Sequence, residues 1–227
     1  FITMKAKTRE QLQQVSTATI ATSLFKRGLK HQFIQDVVPL KKMTTSMVGE
    51  AFTLRYIPAR EDRNALSVFQ DPAHPQRAAI EQCPAGHVMV IDSRKDARAA
   101  TAGDILLSRL MVRGAAGAVT DGGFRDSMVI GELDMPAYHS RAATPTNLTL
   151  HEAIEINGPI GCGDVAVFPG DILVGDDEAV VVELVEINEA HRHVAVVLAE
   201  GHRLVAADPG VKFLVRPDEA GLVGGHE

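Results

Sequence analysis

Between positions 9 and 28 the larger apolar residues are Leu12, Val15, Ile20, Leu24 and Phe25, which predict a helix, and Gly28 suits its end. Residues 47–58, MVGEAFTLRYIP, alternate apolar and polar positions and predict a strand that Pro58 closes. From Ala59 to Gln76 the chain is polar and carries Asp71-Pro72 and His74-Pro75, the pattern of a loop or short helix. The pattern then changes. His87 to Asp92 predicts a buried strand. Asp104 to Arg113 predicts a helix, with apolar residues at 105, 106, 107, 110, 111 and 112 and Gly114 as its stop. Ala116 to Thr120 predicts a second short strand, broken by Asp121-Gly122-Gly123. That strand–helix–strand order implies a parallel crossover. Another strand is predicted over 134–138, reaching Tyr138-His139. In the last third, Asn157-Gly158-Pro159, Gly161-Cys162-Gly163-Asp164, Phe168-Pro169-Gly170-Asp171 and Gly175-Asp176-Asp177 punctuate short apolar runs and predict a compact small sheet.

No repeat of twenty to fifty residues and no low-complexity linker interrupts this order, so residues 1–227 are expected to form a single domain of α and β layers. Aromatic residues are only 4% and Trp is absent, so Val, Ile, Leu and Ala must build the core. The same scarcity argues against base stacking on single-stranded nucleic acid, and the net charge of −6 argues against a phosphate-backbone binder. A small anionic substrate stays open, because one Arg can dominate a pocket. Cys83 and Cys162 form no CxxC, which excludes a disulfide framework and a structural zinc site. No run of about twenty apolar residues suggests a membrane span. The start, Phe1 to Glu10, lacks a signal-peptide pattern, and a cytoplasmic location with reduced thiols is expected. Asn147-Leu148-Thr149 matches a glycosylation acceptor, which is noise in such a chain.

The chemistry concentrates between Gly103 and Asp126. Gly103-Asp104 stands where a loop enters a helix, and first-turn N–H groups there are suited to a carboxylate. Arg125-Asp126 follows the next strand after a glycine pair, and ligands of parallel α/β units bind beyond the carboxyl ends of strands. A guanidinium can hold a carboxylate or enolate oxygen through its fork. A lone carboxylate can hold a hydrated Mg²⁺. The plainer reading makes Asp104 a helix cap and Arg125-Asp126 a turn with a surface ion pair.

Asp104, twenty residues, then Arg125-Asp126 resembles the D-x20-R-D signature of the class II pyruvate aldolases, whose type enzyme is 4-hydroxy-4-methyl-2-oxoglutarate/4-carboxy-4-hydroxy-2-oxoadipate aldolase. Their family also contains the RraA proteins, named as regulators of ribonuclease activity. Val48 to Leu54, Ala102 to Leu106 and Pro169-Gly170-Asp171 are similar to the family too, and the likeness covers about residues 10–185. It implies an α/β fold, a single-domain βα-sandwich of the swivelling β/β/α (RraA-like) type, assembled as a homotrimer or hexamer with the site between subunits. It implies that Gly103, Asp104, Ile105 and Leu106 cradle the pyruvyl part of a small 2-oxo acid. Arg125 would bind its keto or enolate oxygen, and Asp126 would hold Mg²⁺ or Mn²⁺, mostly through water. Asp104 separates the aldolase-like members from regulators lacking the acid, so its presence favours an enzyme. The segment from Leu184 to Glu227 departs from the family pattern, which usually sends a glutamate from a C-terminal helix into the neighbouring subunit; Glu189 and Glu200 are the acids there.

The implied reaction is retro-aldol cleavage of a 4-hydroxy-2-oxo acid to pyruvate through a metal-stabilised enolate, with Asp104 and Arg125 catalytic and oxaloacetate decarboxylation as a side activity. The alternatives are a non-catalytic regulator binding a ribonuclease, and a sugar-acid dehydratase or decarboxylase on the same scaffold. A Schiff-base mechanism needs a lysine in an apolar pocket. Only Lys212 sits in an apolar run, and no lysine flanks the glycine-rich segment. Glu61, Arg63 and Arg77 are candidates for contacting a distal polar group. His191 with His193, Tyr138-His139 and Asp176-Asp177-Glu178 are read as a solvated face, a strand-end histidine and an exposed acidic turn.

Overall fold

The computed structural model describes residues 4–183; His191, His193, Glu189, Glu200, Lys212 and the atypical segment 184–227 lie outside them. The predicted helix over 9–28 is two helices, α1 (Ala6–Leu12) and α2 (Thr17–Lys26). The break has a local cause. Ser16 caps α2, its hydroxyl accepting from Thr19 N–H at 3.3 Å, and a cap residue stands outside the helix it starts.

The strand over 47–58 forms as predicted (β2, Met47–Pro58), but its first eight residues are all buried. The apparent alternation is therefore not an inside–outside pattern. Its polar members are held by partners: Glu50 accepts from Arg9 Nη2 at 2.8 Å and from Met4 N–H at 2.5 Å, and Thr53 Oγ1 donates to Gly158 O at 2.5 Å. A strand covered on both faces belongs at the centre of a sheet. Here β2 runs parallel to β3 (His87–Asp92) on one side and antiparallel to β12 (Ile172–Gly175) on the other, and its far half pairs with β9 (His151–Ile156).

Beyond β3 lie β5 (Gly117–Thr120), β7 (Ala137–His139) and the edge strand β1 (Val38–Pro39); β13 (Val180–Glu183) pairs β12, completing an eight-stranded sheet. Strands β2, β3, β5 and β7 are parallel, joined through α3 (Pro75–Gln82), α4 (Asp104–Val112) and α5 (Ser127–Glu132). The expected parallel crossover is thus present. The strand expected over 134–138 starts later, after Pro136, which has no N–H for the ladder. The predicted compact small sheet is corrected. Among the described residues only β10 (Ile160–Cys162) and β11 (Val165–Val167) form a separate hairpin, while β12 and β13 join the main sheet.

Alternating side chains define the layers. Phe52, Leu54, Met89 and Ile91 pack with Ile80, Leu107, Leu110 and Ile130 of the helices. Ala51, Val88, Val90 and Val119 pack with Ile160, Cys162, Val165 and Val167 of the hairpin. Hairpin, sheet and helices give the expected β/β/α sandwich, and α1 and α2 cover Val48, Ile172, Val174 and Val181.

A second, three-stranded parallel sheet went unpredicted: β4 (Ala100–Ala102), β6 (Gly123–Phe124) and β8 (Arg141–Ala142). In chain order each follows a strand of the main sheet, β3, β5 and β7 in turn. It is built where the parallel strands end, the side of an α/β sheet on which ligands bind.

Candidate functional site

Strands β4 and β6 pair in parallel, with Ala102 opposite Phe124, and Arg125 N–H donates to Ala102 O at 3.1 Å. The residues that follow each strand are therefore neighbours. Gly103-Asp104 leaves β4 to begin α4; Arg125-Asp126 leaves β6 to begin α5. The twenty intervening residues are one crossover, comprising the rest of α4, β5 and β6. The spacing in the sequence is the length of chain needed to bring two strand ends side by side.

Gly103 has ordinary extended dihedrals, φ −126° and ψ −177°. Its role is space. A Cβ there would lie 2.7 Å from Arg125 Nε, 2.9 Å from Arg125 Cγ and 3.2 Å from Asp126 Oδ2. The Arg125 side chain lies directly on the glycine. No side chain caps α4, so its first-turn N–H groups stay available beside the guanidinium.

Asp126 is left-handed, φ 54° and ψ 33°, a region in which most residues are strained by about 1 kcal/mol and which Asp tolerates better than most. Its Oδ2 lies 3.2 Å from Arg125 Nε, with both side chains nearly half exposed. Ion pairs that exposed are worth little, typically under about 1 kcal/mol. The plainer reading, a turn with a surface ion pair, describes this contact.

Asp104, Arg125 and Gly103 border a cavity of about 160 Å³, with Ile105, Leu106, Ala100 and Ala102 and with Phe69, Gln76, Arg77, Thr146 and Asn147. Asp126 is not in its lining, though it touches Arg125 at the rim. Sequence reasoning missed Phe69, Gln76, Thr146 and Asn147. Asn147, read from the sequence as a chance acceptor motif, is buried. Of the three distal candidates, Arg77 lines the cavity, Arg63 pairs with Glu152 at 3.0 Å, and Glu61 is not in the lining. No described lysine lines the cavity either.

The cavity floor is fixed by hydrogen bonds. Tyr56 Oη and Gln76 Nε2 both donate to Thr101 O, at 2.9 and 2.6 Å, and Thr101 Oγ1 donates to Gly123 O at 3.0 Å. Below Arg125, Phe124 stacks on His139 at 6.0 Å; burial holds His139 below the usual imidazole range. Tyr138 Oη donates to Asp176 O, and Asp176 accepts from Thr17 at the start of α2, so these residues serve the fold.

Asp121 anchors the loop that carries Arg125. Its buried carboxylate accepts from Ser93 N–H (2.8 Å), Ser93 Oγ (2.7 Å), Lys95 N–H (3.1 Å) and Gly163 N–H (3.2 Å). Asp121→Asn removes one acceptor oxygen and sets an NH₂ against N–H donors. A buried donor left unpaired costs about 1–3 kcal/mol, so urea unfolding should show a loss of about 2–4 kcal/mol. An unchanged midpoint would mean that the carboxylate is not an anchor.

The family described as RraA-like, Aldolase/RraA, matches residues 17–182. A Halalkalibacterium halodurans protein with the provisional name 4-hydroxy-4-methyl-2-oxoglutarate aldolase is 39% identical over 106 residues, 47% of this chain and 50% of that protein. Protein DlpA of Legionella pneumophila is 24% identical over 76% of this chain and 27% of its own length. The chain thus spans half or less of these relatives. Among solved structures, RraAS2 of Streptomyces coelicolor, described as an unusual member of the RNase ES inhibitor RraA protein family, superposes with a TM-score of 0.70 at 26% identity, covering 80% of this chain and 86% of that one. The RNA-processing inhibitor RraA from Thermus thermophilis shares the fold, with a TM-score of 0.53 at 21% identity over 72% of this chain and 91% of its own.

Proposed function

Since the chain belongs to the RraA-like, Aldolase/RraA family, we propose that it is a divalent-metal-dependent lyase that cleaves 4-hydroxy-2-oxo acids to pyruvate by a retro-aldol step. The observation that carries this reading is the joining of Arg125, Asp104 and the open N-terminus of α4 at one cavity, with Asp126 at its rim. The substrate carboxylate lies against the first-turn N–H groups of α4, with Gly103 to Leu106 around the pyruvyl part. The Arg125 fork takes the keto oxygen. Asp104 orients a water that removes the C4 hydroxyl proton. The C3–C4 bond breaks, its electrons pass to C3 and the keto oxygen, and the far fragment leaves as a carbonyl compound. Arg125 stabilises the charge that develops on the enolate oxygen. Protonation at C3 then gives pyruvate. Oxaloacetate decarboxylation passes through the same enolate.

The donor set fits a hydrated cation. Among the described residues no group of three or more His, Cys, Asp or Glu converges, so Asp126 would hold Mg²⁺ or Mn²⁺ with water and substrate completing the shell, the habit of Mg²⁺. When bound, the metal supplies Lewis-acid polarisation of the keto group. Pyruvate release from 4-hydroxy-4-methyl-2-oxoglutarate, read by coupled reduction to lactate, should fall at least tenfold in EDTA. Asp126→Asn keeps a residue that accepts a left-handed backbone, and should raise the Mg²⁺ concentration for half-maximal rate at least tenfold. Full activity in EDTA would sink the metal requirement.

Exposed Ile105, Val112, Met128 and Val129 lie on α4 and beside Asp126 at the start of α5. They support a homo-oligomer, trimer or hexamer, in which a second copy covers this surface. A second reading rests on the likeness to RraAS2: a non-catalytic protein that binds a ribonuclease. Asp104 argues against it, and metal-dependent turnover would decide between them. No described helix is long and apolar enough to cross a membrane, which suits a cytoplasmic enzyme of one RraA-like domain.

A further inference from the structure

We propose that Gln76 is a positioning residue for the reaction: together with Asp104, its Oε1 holds the water that takes the C4 hydroxyl proton. The proposal rests on the retro-aldol reading of the cavity and gives a part to a residue which that reading leaves without one. Gln76, the second residue of α3, is 3% exposed and lines the cavity. Its Nε2 donates to Thr101 O at 2.6 Å, and Tyr56 Oη donates to the same carbonyl at 2.9 Å. A carbonyl has two lone pairs and can take both. The Tyr56 hydroxyl has given its one proton to Thr101 O, so toward Gln76 it can only accept. Its acidity agrees: burial pushes the Tyr56 hydroxyl up, and a hydrogen bond from Gln76 works against that rise. Both neighbours on this side require an N–H, which fixes the amide with Nε2 toward β4 and Oε1 away from it. Oε1 accepts from no described residue and is not sealed in protein, so it opens to the cavity that Gln76 lines.

The rest of the lining shows why this acceptor matters. Most of its polar groups are donors: Arg125, the first-turn N–H groups of α4, Arg77 over the Phe69 ring at 5.2 Å, and Asn147, brought in where Ala100 N–H bonds to Pro145 O. Asn147 Oδ1 accepts from Thr146 Oγ1 at 3.2 Å. Among the lining side chains, Asp104 and Gln76 are left with the carbonyl or carboxylate oxygens to which no described group donates. A substrate carboxylate or keto group has no hydrogen to give them, whereas a water has two. Donating one to Asp104 and the other to Gln76 Oε1, a water turns its lone pairs to the ligand, the orientation that a base needs. The spacing suits it. Thr101 stands two residues before Gly103 on extended chain, about 7 Å. The C4 carbon of a substrate whose carboxylate rests at the start of α4 lies three carbon–carbon bonds from C1, about 4 Å. The O4 proton passes to the water as one of the water's own protons passes to the Asp104 carboxylate, and the C4 carbonyl forms as C3–C4 breaks. The hydrogen on Gln76 Oε1 stays with the water, because an amide oxygen is too weak a base to take it. Gln76 orients and does not react.

The test measures two rates on the whole protein with Mg²⁺, the metal-only rates subtracted: pyruvate release from 4-hydroxy-4-methyl-2-oxoglutarate and from oxaloacetate, which has no C4 hydroxyl to deprotonate. Gln76→Met, of similar length and without a polar group, should lower the ratio of the first to the second at least tenfold. That is a share of the about 10²–10⁴-fold that positioned proton transfer contributes. The fall should lie in kcat rather than KM. Thr101 O keeps Tyr56 as its donor in this variant, so no carbonyl is orphaned. Gln76→Asn keeps an amide but is one methylene too short to reach Thr101 O and the water together, and its ratio should lie between. Tyr56→Phe takes the other donor from Thr101 O without touching the water, and should leave the ratio where it is. A ratio on one protein is insensitive to a loss of folded fraction, and Gln76→Asn carries the test if Gln76→Met fails to fold. An unchanged ratio in the Gln76 variants, or an equal fall in Tyr56→Phe, overturns the proposal, since Gln76 would then act only through the strand it supports. Its failure is separable from that of the lyase reading: pyruvate release from the hydroxy acid with a ratio that the Gln76 variants do not move keeps the reaction and loses the role of Gln76, whereas no release from the hydroxy acid by the wild type loses both.

Discussion

Gly103→Ala is expected to lower kcat/KM for pyruvate release by about 10²-fold or more while leaving the protein folded. The added methyl would sit 2.7 Å from Arg125 Nε and 2.9 Å from its Cγ, closer than real Cβ atoms come to a neighbour. The backbone at Gly103 is extended and acceptable to alanine, so the substitution causes no strain of its own. Arg125 is nearly half exposed and can move away. The fold therefore survives, and the guanidinium does not keep its place. Misplacing a reacting group by about 1 Å can cost 10²-fold. The contrast with Gly161 sharpens the test, because a Cβ there meets nothing within 4 Å. Gly161→Ala should retain activity. If Gly103→Ala were as active as Gly161→Ala, with an unchanged urea midpoint, the contact between Gly103 and Arg125 would have no catalytic meaning.

Much of the frame is legible in the amino-acid sequence, for physical reasons. Strand β2 shows as a pattern closed by Pro58, and β3, β5 and α4 as apolar runs, with the Asp121-Gly122 break after β5 and Gly114 after α4. The neighbourhood of Gly103-Asp104 and Arg125-Asp126, the candidate site, was legible because strand ends and helix starts have a chemistry of their own. Three kinds of feature were not legible. Strands of two or three residues, such as β4 and β6, are too short to show a period, although they set the register of the site. Ser16 was hidden inside an apolar pattern that continues through it, and only its bond to Thr19 reveals a cap. Asn147 comes into the cavity through the contact of Pro145 with Ala100, a pairing across 45 positions that no local pattern encodes. Arg77 was singled out for its charge, yet its place over Phe69 depends on how residues 59–76 fold back.

Arg125→Lys should lower kcat/KM by about 10²–10³-fold, and should do so equally for 4-hydroxy-4-methyl-2-oxoglutarate cleavage and for oxaloacetate decarboxylation. Lysine keeps the charge and can still pair with Asp126, so a residue that mattered only through that ion pair would tolerate the change. What is lost is the planar fork. A lysine ammonium is a compact donor on a flexible stem, and it cannot present to an enolate oxygen the fixed pair of donors that the fork provides. Removing one preorganised donor from a developing oxyanion typically costs about 10²–10³-fold. The two substrates share the enolate, so both must suffer. Asp104→Asn separates them, because only the retro-aldol reaction has a C4 hydroxyl proton to remove; decarboxylation breaks its bond without that base. The expected pattern is a joint loss for Arg125→Lys and a loss confined to the hydroxy acid for Asp104→Asn. If Arg125→Lys retained both activities, the enolate would be stabilised elsewhere. If Asp104→Asn reduced both alike, Asp104 would be holding the helix or the common enolate rather than directing proton removal.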